Sequence, residues 1–369
     1  MRVVGLSIRD FRCYGAAEVP IGPGITVVWG PNGAGKTNLL EGLYFGCTGR
    51  SCRTTNEREV VRFGAAAARV VVNLRTSDGC AHELAVGFEP GQPKRMLADG
   101  APVERLLDIA ERPLLSVFMP DRLELVKGAP GVRRAHLDQV VAALWPSRTV
   151  ARRSYAHALA QRNALLTRIR SGHASRETLS AWNRQLAGHG LALMNDRAEV
   201  VRCAGAPFAR YAEALGLSGA PAIEYRPRSK ASTPEELAEE LAARVDGDLE
   251  RGFTGHGPHR DELLLTRVGR ELRSYGSQGQ QRLALLALLL AEREVISAVR
   301  PFPPVMLLDD VMSELDHGRR RALVDVLRAG AGQAIITTTD AEHVPGADRG
   351  DVSLLAVSEG RLLHEVAAA

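Results

Sequence analysis

The stretch that decides the fold is Gly30-Pro31-Asn32-Gly33-Ala34-Gly35-Lys36-Thr37. It fits the phosphate-binding pattern G-x-x-x-x-G-K-[ST] at every fixed position. Residues 25–29 form a short apolar run typical of a buried strand, and the chain from Asn38 continues as a helix. A strand, a glycine turn and a helix N-terminus direct successive N–H groups at one point, where Lys36 adds positive charge. Residues 30–38 are therefore predicted to bind the phosphates of ATP or GTP, with the Thr37 hydroxyl on Mg²⁺.

Length and composition are those of an ordinary globular protein. The chain has 369 residues, of which 45% are hydrophobic, which is enough for two modest domains or one domain with a large insertion. Its longest apolar run, residues 283–291, is too short to span a bilayer, and the N-terminus enters a strand pattern rather than a secretory signal. The five cysteines include no C-x-x-C pair. We expect a reduced cytosolic protein without a zinc site or a membrane partner.

The charge is mildly basic, with 47 Lys and Arg against 43 Asp and Glu. This balance is weak support for a nucleic-acid partner, because GC-rich coding also enriches Ala and Arg. Arginines recur between residues 133 and 170. These arginines could contact DNA phosphates, or they could lie on the solvated faces of helices, and the sequence favours neither interpretation.

The order of elements predicts an α/β protein divided by a helical insertion. Alternating strands open the chain, and residues 68–74 and 83–88 form a hairpin pattern around residues 77–79. Helical periodicity begins near residue 132. It places Val150, Ala158, Leu165 and Ile169 on one face of a helix over 147–170. Thr233-Pro234-Glu235-Glu236 is a strong helix start. We predict a mixed α/β head over residues 1–125 and 250–369, with a mainly helical lobe over 126–249.

An apolar strand ending in two carboxylates lies beyond the insertion, at Val305-Met306-Leu307-Leu308-Asp309-Asp310. Its pattern is typical of a parallel strand that delivers acidic side chains to its C-terminal edge, beside a phosphate loop. Asp309 is the candidate for the Mg²⁺ shell, together with Thr37. Asp310 is the candidate catalytic residue that polarises the attacking water, and Lys36 is the catalytic cation.

A capped helix precedes the acidic strand, with the sequence Ser277-Gln278-Gly279-Gln280-Gln281 at its start. Ser277 and Gln280 form a capping box, so the serine hydroxyl and the first free N–H groups offer a second anion site. The order of phosphate loop, Ser-Gln-Gly-Gln-Gln and acidic strand resembles the ABC-type ATPases, whose signature is a variant of L-S-G-G-Q. Residues 313–316, Ser-Glu-Leu-Asp, are similar to the D-loop of that family.

Three further stretches resemble the RecF family of bacterial recombination mediators. They are residues 6–14 with 48–54, residues 120–130 with 133–138, and residues 253–261, the last reading Phe-Thr-Gly-His-Gly-Pro-His-Arg-Asp. The resemblance extends over nearly the whole chain. General ABC-type ATPases do not carry the second and third stretches.

This resemblance implies an ATP-dependent DNA-binding protein of recombinational repair, cytoplasmic and nucleoid-associated. In such proteins ATP and Mg²⁺ promote a homodimer, which binds double-stranded DNA or single-strand/double-strand junctions and acts with RecR and RecO to help RecA load. The signature of one head completes the ATP site of the other. Ser277, Gly279 and Gln280 would therefore contact the ATP of the partner head.

Several departures predict slow hydrolysis. Asp310 stands where transporter-type heads have Glu, and its shorter side chain would align water less well. No histidine follows residues 334–339 in the usual switch position, where Asp340 and His343 are uncertain substitutes, and no glutamine is identified for the Q-loop. We expect a weak, DNA-stimulated ATPase. The alternatives are a transporter nucleotide-binding subunit, an SMC-like chromosome protein, which would need long heptad repeats, and an ATP-coupled nuclease.

Overall fold

The structure is a computed structural model, which describes residues 1–109, 112–330 and 332–363. The chain divides into two compact units. Unit 1 contains residues 1–121 and the chain from residue 300 onward, and unit 2 contains residues 122–299. In the described ranges, no helix combines the length and apolar character needed to cross a bilayer.

The elements alternate between strands and helices in unit 1 and are mainly helical in unit 2. The strands are β1 (Arg2–Phe11), β2 (Tyr14–Pro20), β3 (Ile25–Trp29), β4 (Ala68–Arg75), β5 (Ala81–Phe88), β6 (Arg95–Ala98), β7 (Ala101–Pro102), β8 (Leu115–Phe118), β9 (Ala222–Arg226), β10 (Glu262–Arg267), β11 (Arg270–Glu271), β12 (Val305–Leu308), β13 (Ala334–Thr338), β14 (Val352–Ser358) and β15 (Arg361–Leu363). The helices are α1 (Lys36–Thr48), α2 (Glu124–Lys127), α3 (Pro130–Leu144), α4 (Thr149–Arg170), α5 (Leu179–Ala214), α6 (Pro234–Ala242), α7 (Val245–Arg251), α8 (Leu272–Tyr275), α9 (Gln278–Val299) and α10 (His317–Ala329).

An antiparallel sheet in the order β2-β1-β4-β5-β6-β7 forms one layer of unit 1. Its strands alternate as the sequence predicts: Leu6 and Ile8 of β1 pair with Val72 and Val70 of β4, and all four side chains are buried. The residues between them face outward, because successive side chains of a strand point to opposite faces. The predicted hairpin is confirmed, since β4 pairs antiparallel with β5.

A mixed sheet in the order β15-β14-β3-β13-β12-β8 forms a second layer of unit 1. Strands β14, β3, β13, β12 and β8 are parallel to one another. Their carboxyl ends therefore meet at one edge, where ligands of open α/β sheets bind. The phosphate loop follows β3 and the Asp309-Asp310 pair follows β12, with β13 alone between them.

Helix α1 packs its apolar side chains into the core of unit 1. Leu39, Leu40 and Leu43 are fully buried and share a cluster with residues of both sheets. The approach of α1 to β4 is close: a Cβ on Gly46 would lie 2.5 Å from a methyl carbon of Val72. The helix that begins at the phosphate loop is therefore held rigidly by the hydrophobic core.

Unit 2 is organised around the long helix α5, which packs against α4, α6 and α9. One cluster of its core contains Tyr155, Ala158, Leu186, Met194 and Leu237. A small antiparallel sheet, β11-β10-β9, completes the unit.

The predicted core face of α4 is partly wrong. Ala158 is buried, and Leu165 and Ile169 are partly buried, but Val150 is 62% exposed. The buried face instead includes Tyr155 and Arg162. A periodicity of apolar residues could not predict this, because Arg162 is buried by polar partners on other elements.

The predicted helix start at Thr233 is confirmed. The Thr233 hydroxyl accepts a hydrogen bond from the Glu236 N–H at 3.2 Å. The carboxylate of Glu236 extends back one residue further than in an ordinary capping box and accepts from the Ser232 N–H at 2.7 Å.

The division into units differs from the predicted domains at two boundaries. Residues 122–125 and 250–299, which the sequence assigns to the head, are grouped with the helical unit. The reason is the packing of α9 along α5 and of β10 beside β9.

Candidate functional site

The phosphate loop connects β3 to α1 in a conformation that requires glycine. Gly30 and Gly35 have φ angles of 153° and 112°, in the region that favours glycine. A Cβ on Gly30 would lie 2.0 Å from the Val357 carbonyl oxygen, and one on Gly35 would lie 2.7 Å from the Cys13 sulfur. The loop is therefore fixed by the strands behind it.

The carbonyl groups of the loop are engaged within the protein, so its N–H groups are left for a ligand. The Ala34 carbonyl accepts from the Gly360 N–H at 2.9 Å, and the Gly35 carbonyl accepts from the Tyr14 hydroxyl at 3.0 Å. Among the described residues, the N–H groups of Gly33 and Lys36 have no acceptor. This arrangement is a nest for an anion at a helix N-terminus.

Lys36 lies inside the loop. Its ammonium group donates to the carbonyl oxygens of Gly30 at 2.7 Å and Pro31 at 3.0 Å. Burial lowers the pKa of Lys36, and the charges of Asp310 and Asp309 oppose that shift. An anion in the loop would therefore find a buried cation that forms no ion pair with a carboxylate of the described residues.

Asp309 connects the acidic strand to the phosphate loop. Its Oδ1 accepts from the Thr37 hydroxyl at 2.9 Å and from the Thr337 hydroxyl at 2.7 Å. Burial raises the pKa of Asp309, and the hydroxyl groups of Thr337 and Thr37 oppose that shift. No Lys or Arg of the described ranges forms an ion pair with Asp309. A divalent cation would therefore stabilise its charged form.

Asp310 follows in a strained backbone conformation, with a φ of 47°. Its Oδ2 accepts from the Ser313 hydroxyl at 2.9 Å, and its N–H donates to Thr337 Oγ1 at 2.9 Å. Its Oδ1 is buried and has no hydrogen-bond partner among the described residues. A buried, unsatisfied carboxylate oxygen is costly, and here it is free to accept a proton or a water hydrogen bond.

The capping box at Ser277 forms as predicted. The Ser277 hydroxyl accepts from the Gln280 N–H at 3.3 Å, and the Gln280 side chain accepts from the Ser277 N–H at 3.0 Å. Ser277 and Gly279 are exposed on the surface of unit 2. The start of α9 is therefore accessible to a second molecule.

The structure adds a polar cluster beside α1 that connects Asn38 to three residues which the sequence did not identify as site residues. Glu41 is fully buried and accepts a bidentate pair of hydrogen bonds from Arg12 at 2.9 and 2.7 Å. Arg53 donates to Glu41 at 3.3 Å and to Asn38 Oδ1 at 2.9 Å. The charge of Arg53 also acts to lower the pKa of Asp309. The signal in the sequence was the similarity to the family of residues 6–14, which include Arg12, and of residues 48–54, which include Arg53.

The region after β13 contains the two uncertain switch substitutes. His343 Nδ1 lies 3.5 Å from the Thr338 hydroxyl, which donates to the backbone carbonyl of Asp340 at 3.1 Å. The Asp340 carboxylate accepts from the Glu342 N–H and caps a short turn. These contacts give Asp340 and His343 a local structural role.

Several arginines between 133 and 170 fit neither of their two predicted roles. Arg133 is 2% exposed and forms a bidentate pair with Glu262, and Arg162 is fully buried against Asp248. Arg148 pairs with Asp196. These side chains hold unit 2 together, while others such as Arg153 remain exposed.

Comparisons with known proteins agree with the geometry of this site. The family described as RecF/RecN/SMC N terminal domain matches residues 2–358. The DNA replication and repair protein RecF of Myxococcus xanthus (strain DK1622) is 37% identical, over 98% of this chain and 97% of that protein. RecF of Anaeromyxobacter sp. (strain Fw109-5) is 38% identical, over 98% of each chain. The chain belongs to the RecF family.

A solved structure supports the same conclusion for the whole fold. The structure of the recombination mediator protein RecF-ATP in the RecFOR pathway has a TM-score of 0.85 and 25% identity, over 99% of this chain and 98% of that one. RecF membership favours replication and repair over a transporter subunit or an SMC-like chromosome protein. The α/β head with a helical lobe is therefore confirmed as the fold class.

Proposed function

We propose that this RecF-family protein is an ATP-dependent DNA-binding switch of replication and repair. The observation that carries the proposal is the meeting of the phosphate loop with the acidic strand through the Thr37–Asp309 hydrogen bonds. ATP is the proposed nucleotide because the similar solved structure is RecF-ATP. Residues 30–38 would bind its phosphates, with the loop N–H groups and Lys36 supplying the positive field.

Mg²⁺ fits the residues at this site. Hydroxyl and carboxylate oxygens are the ligands it takes, and a magnesium site beside phosphates commonly uses one or two carboxylates. Thr37 and Asp309 would hold it, and the ion would neutralise charge on the phosphate oxygens when bound. Asp310 would accept a proton from the attacking water through its unsatisfied Oδ1, while Ser313 keeps its other oxygen in place.

The proposed product of ATP binding is a homodimer. Ser277 and Gly279 are exposed and Gln280 is partly buried at the start of α9, and all three would contact the ATP held by a second copy. ATP favours the dimer only because it makes these added contacts there. Slow hydrolysis would then release the two copies. The protein would thus be a weak ATPase, stimulated by DNA, whose main output is a conformational state.

The proposed partners follow from the family. The dimer would bind double-stranded DNA or single-strand/double-strand junctions and act with RecR and RecO, and through them on RecA. The proposed location is the cytoplasm, in association with the nucleoid. Binding would depend steeply on salt and little on sequence, because phosphate contacts supply most of the affinity.

Size-exclusion chromatography with light scattering tests the central step. The parent protein should be a monomer without nucleotide and a dimer with ATP and Mg²⁺. Lys36→Met should remain a monomer under both conditions. Arg153→Ala, which changes an exposed cation of unit 2, is the control and should dimerise like the parent. An ATP-independent elution volume for the parent would contradict the proposal.

A turnover assay tests the proposed slow hydrolysis. Without DNA, the purified protein should hydrolyse ATP well below a transporter-like rate of about 1–10 per second, and duplex DNA should raise its rate. A rate in the transporter range without DNA would contradict the switch. DNA cleavage in the presence of Mg²⁺ would instead favour the nuclease alternative.

A further inference from the structure

A groove on the outer face of the antiparallel sheet of unit 1 has no role in the proposed ATP cycle. It has a volume of about 1350 Å³ and is lined by five basic side chains and two acidic ones. The basic side chains and one fully exposed aromatic ring give it its character, and we call it the arginine groove. They are Arg9, Arg62, Phe63, Arg69, Lys94 and Arg95.

Three of these arginines form a row across the sheet. Arg9 of β1 is directly opposite Arg69 of β4, and Arg69 is opposite Gly87 of β5, which is opposite Arg95 of β6. Strands lie about 4.8 Å apart, so the row spans roughly 15 Å. Gly87 carries no side chain and leaves the floor open between Arg69 and Arg95.

The row has no internal compensation. Within residues 1–109, 112–330 and 332–363, no carboxylate pairs with Arg9, Arg69 or Arg95, and all three are exposed. The remaining cations of the groove are already engaged, since Arg62 pairs with Asp10 and Lys94 with Glu57. Like charges directly opposite in a sheet are destabilising. An extended polyanion lying across the row would remove that repulsion.

Phe63 indicates which polyanion fits. Its side chain is fully exposed at the edge of the groove, next to Arg62. A positive groove combined with an exposed aromatic ring is typical of single-strand binding, in which a base stacks on the ring while arginines contact the backbone. A base inside a duplex is already stacked and cannot reach the ring.

We infer that the arginine groove binds single-stranded DNA, with phosphates on Arg9, Arg69 and Arg95 and a base on Phe63. This inference rests on the proposed DNA-binding function and assigns its single-stranded part to a site in unit 1. Arg62 and Lys94 would contribute less, because each already has an acidic partner.

The chain offers a matched control for the charge. Arg2 and Arg75 form a second cross-strand pair of exposed arginines on the same face of β1 and β4. Six residues separate Arg75 from Arg69, or roughly 20 Å along the strand, and neither Arg2 nor Arg75 lines the groove. Arg9→Gln/Arg69→Gln and Arg2→Gln/Arg75→Gln therefore remove equal charge from the same sheet.

Fluorescence anisotropy with an oligo(dT) of about 15 nucleotides provides the test, since single-strand sites commonly cover about 4–16 nucleotides. Arg9→Gln/Arg69→Gln should bind roughly tenfold more weakly. Its slope of log affinity against log salt should fall by about 1.4, from two lost phosphate contacts at about 0.7 each. Arg2→Gln/Arg75→Gln should stay within about twofold of the parent. Phe63→Ala should weaken binding about fivefold or more. Thermal midpoints at or above the parental value would show that the variants are folded.

Other outcomes would overturn the inference. The two double variants could bind oligo(dT) equally, or the parent could bind a duplex but no single strand. A preference of the groove for poly-glutamate over oligo(dT) would identify an acidic protein segment as its ligand. If Arg9→Gln/Arg69→Gln weakened duplex binding as much as oligo(dT) binding, and Phe63→Ala had no effect, the ligand would be a duplex. Duplex binding by the parent is measured with and without ATP as a separate test. If ATP does not promote it, the proposed function is contradicted, whatever the groove binds.

Discussion

Asp310 combines backbone strain with an unsatisfied side chain. A non-glycine residue in the left-handed region costs about 1–3 kcal/mol and persists where the surrounding structure holds it. Here the Thr337 and Ser313 hydroxyl groups provide that support, at 2.9 Å each. In this conformation the Asp310 carboxylate lies at the end of β12 with one oxygen held by Ser313. The other oxygen remains available for chemistry.

Asp310→Asn should separate ATP binding from hydrolysis. The amide keeps the size of the side chain but cannot accept a proton, so turnover should fall by roughly 10²- to 10⁴-fold, the range of a general base. ATP affinity, measured by equilibrium binding, should change little because the phosphate loop is intact. Asp325→Asn, on the exposed face of α10, should leave both quantities at parental values. A parental turnover rate in Asp310→Asn would remove Asp310 from the mechanism.

His259 should make stability depend on pH. Its Nδ1 accepts from the Tyr155 hydroxyl at 2.7 Å and its Nε2 donates to the Thr254 carbonyl at 2.8 Å, which is the pattern of a neutral ring. Burial lowers the pKa of His259 to about 4. Between its unfolded and folded pKa values only the unfolded chain takes up the proton, so stability is lost as pH falls from about 6.5 towards 4.

The expected loss from this histidine is about 1.5 kcal/mol between pH 6.5 and pH 5. Urea unfolding of the parent and of His259→Gln measures it, because the variant lacks the titrating group and should show a flatter profile. Parallel profiles for the two proteins would show that His259 does not titrate differently on folding.

At the scale of elements, local patterns were predicted well. Strand β3 has the bounds expected from the sequence, since four apolar residues and one threonine before a glycine turn leave little choice. The helix starts at Thr233 and Ser277 were also recognised, because a capping box is complete within four residues. The phosphate loop and the Asp309-Asp310 strand were recognised for the same reason: each motif is contiguous.

Features built from distant residues were not predicted. The Thr337 hydroxyl, which donates to Asp309, lies 28 residues away in the sequence. No local sequence pattern identifies Thr337 as a partner of Asp309. The Arg12–Glu41 pair joins a turn after β1 to helix α1. On α4 an amphipathic pattern places arginine in solvent, yet Arg162 is buried because Asp248 and Thr254 lie opposite it. Such pairings depend on tertiary structure, which a single sequence does not display.

Arg162→Ala should therefore destabilise unit 2 strongly. The guanidinium group donates to Asp248 at 2.8 Å, to Thr254 at 2.6 Å and to Asn183 at 2.8 Å, and both charges of the pair are fully buried. Removing one partner of a buried ion pair costs up to about 3–5 kcal/mol, and Asp248 would keep only Arg251, whose side chain is 48% exposed, as a charged partner. Denaturant unfolding should show this loss.

Arg153→Ala on the same helix is the control for this loss. Its side chain is exposed and forms no ion pair with any residue of the described ranges, so the change should stay within about 0.5 kcal/mol. Equal midpoints for the two variants would mean that the Arg162–Asp248 pair contributes no net stability.

At the scale of the whole molecule, the candidate site residues are divided between the two units. The phosphate loop and the acidic strand belong to unit 1, and Ser277 belongs to unit 2. In the proposed dimer, the loop of one copy and the serine of the other form one ATP site. The proposal therefore predicts that a variant defective in the phosphate loop and a variant defective at Ser277 can complement each other in a mixed dimer.

Lys36→Met and Ser277→Arg provide such a pair. Lys36→Met retains its serine but loses the loop cation, and Ser277→Arg retains its loop but places a bulky side chain where the partner's ATP would sit. Neither variant alone should dimerise with ATP. Mixed in equal amounts, they can form one intact site from the loop of Ser277→Arg and the serine of Lys36→Met. Light scattering of the mixture should show an ATP-dependent dimer, weaker than that of the parent.

The controls for complementation use the same measurement. Ser277→Arg alone should still bind one ATP per monomer, which shows that its loop is intact and that the defect lies in assembly. Two copies of Lys36→Met with different affinity tags should not associate. If the mixed variants remain monomeric while each is folded, ATP does not join the loop of one copy to the serine of another. The ATP-driven step would then have to occur within a single chain.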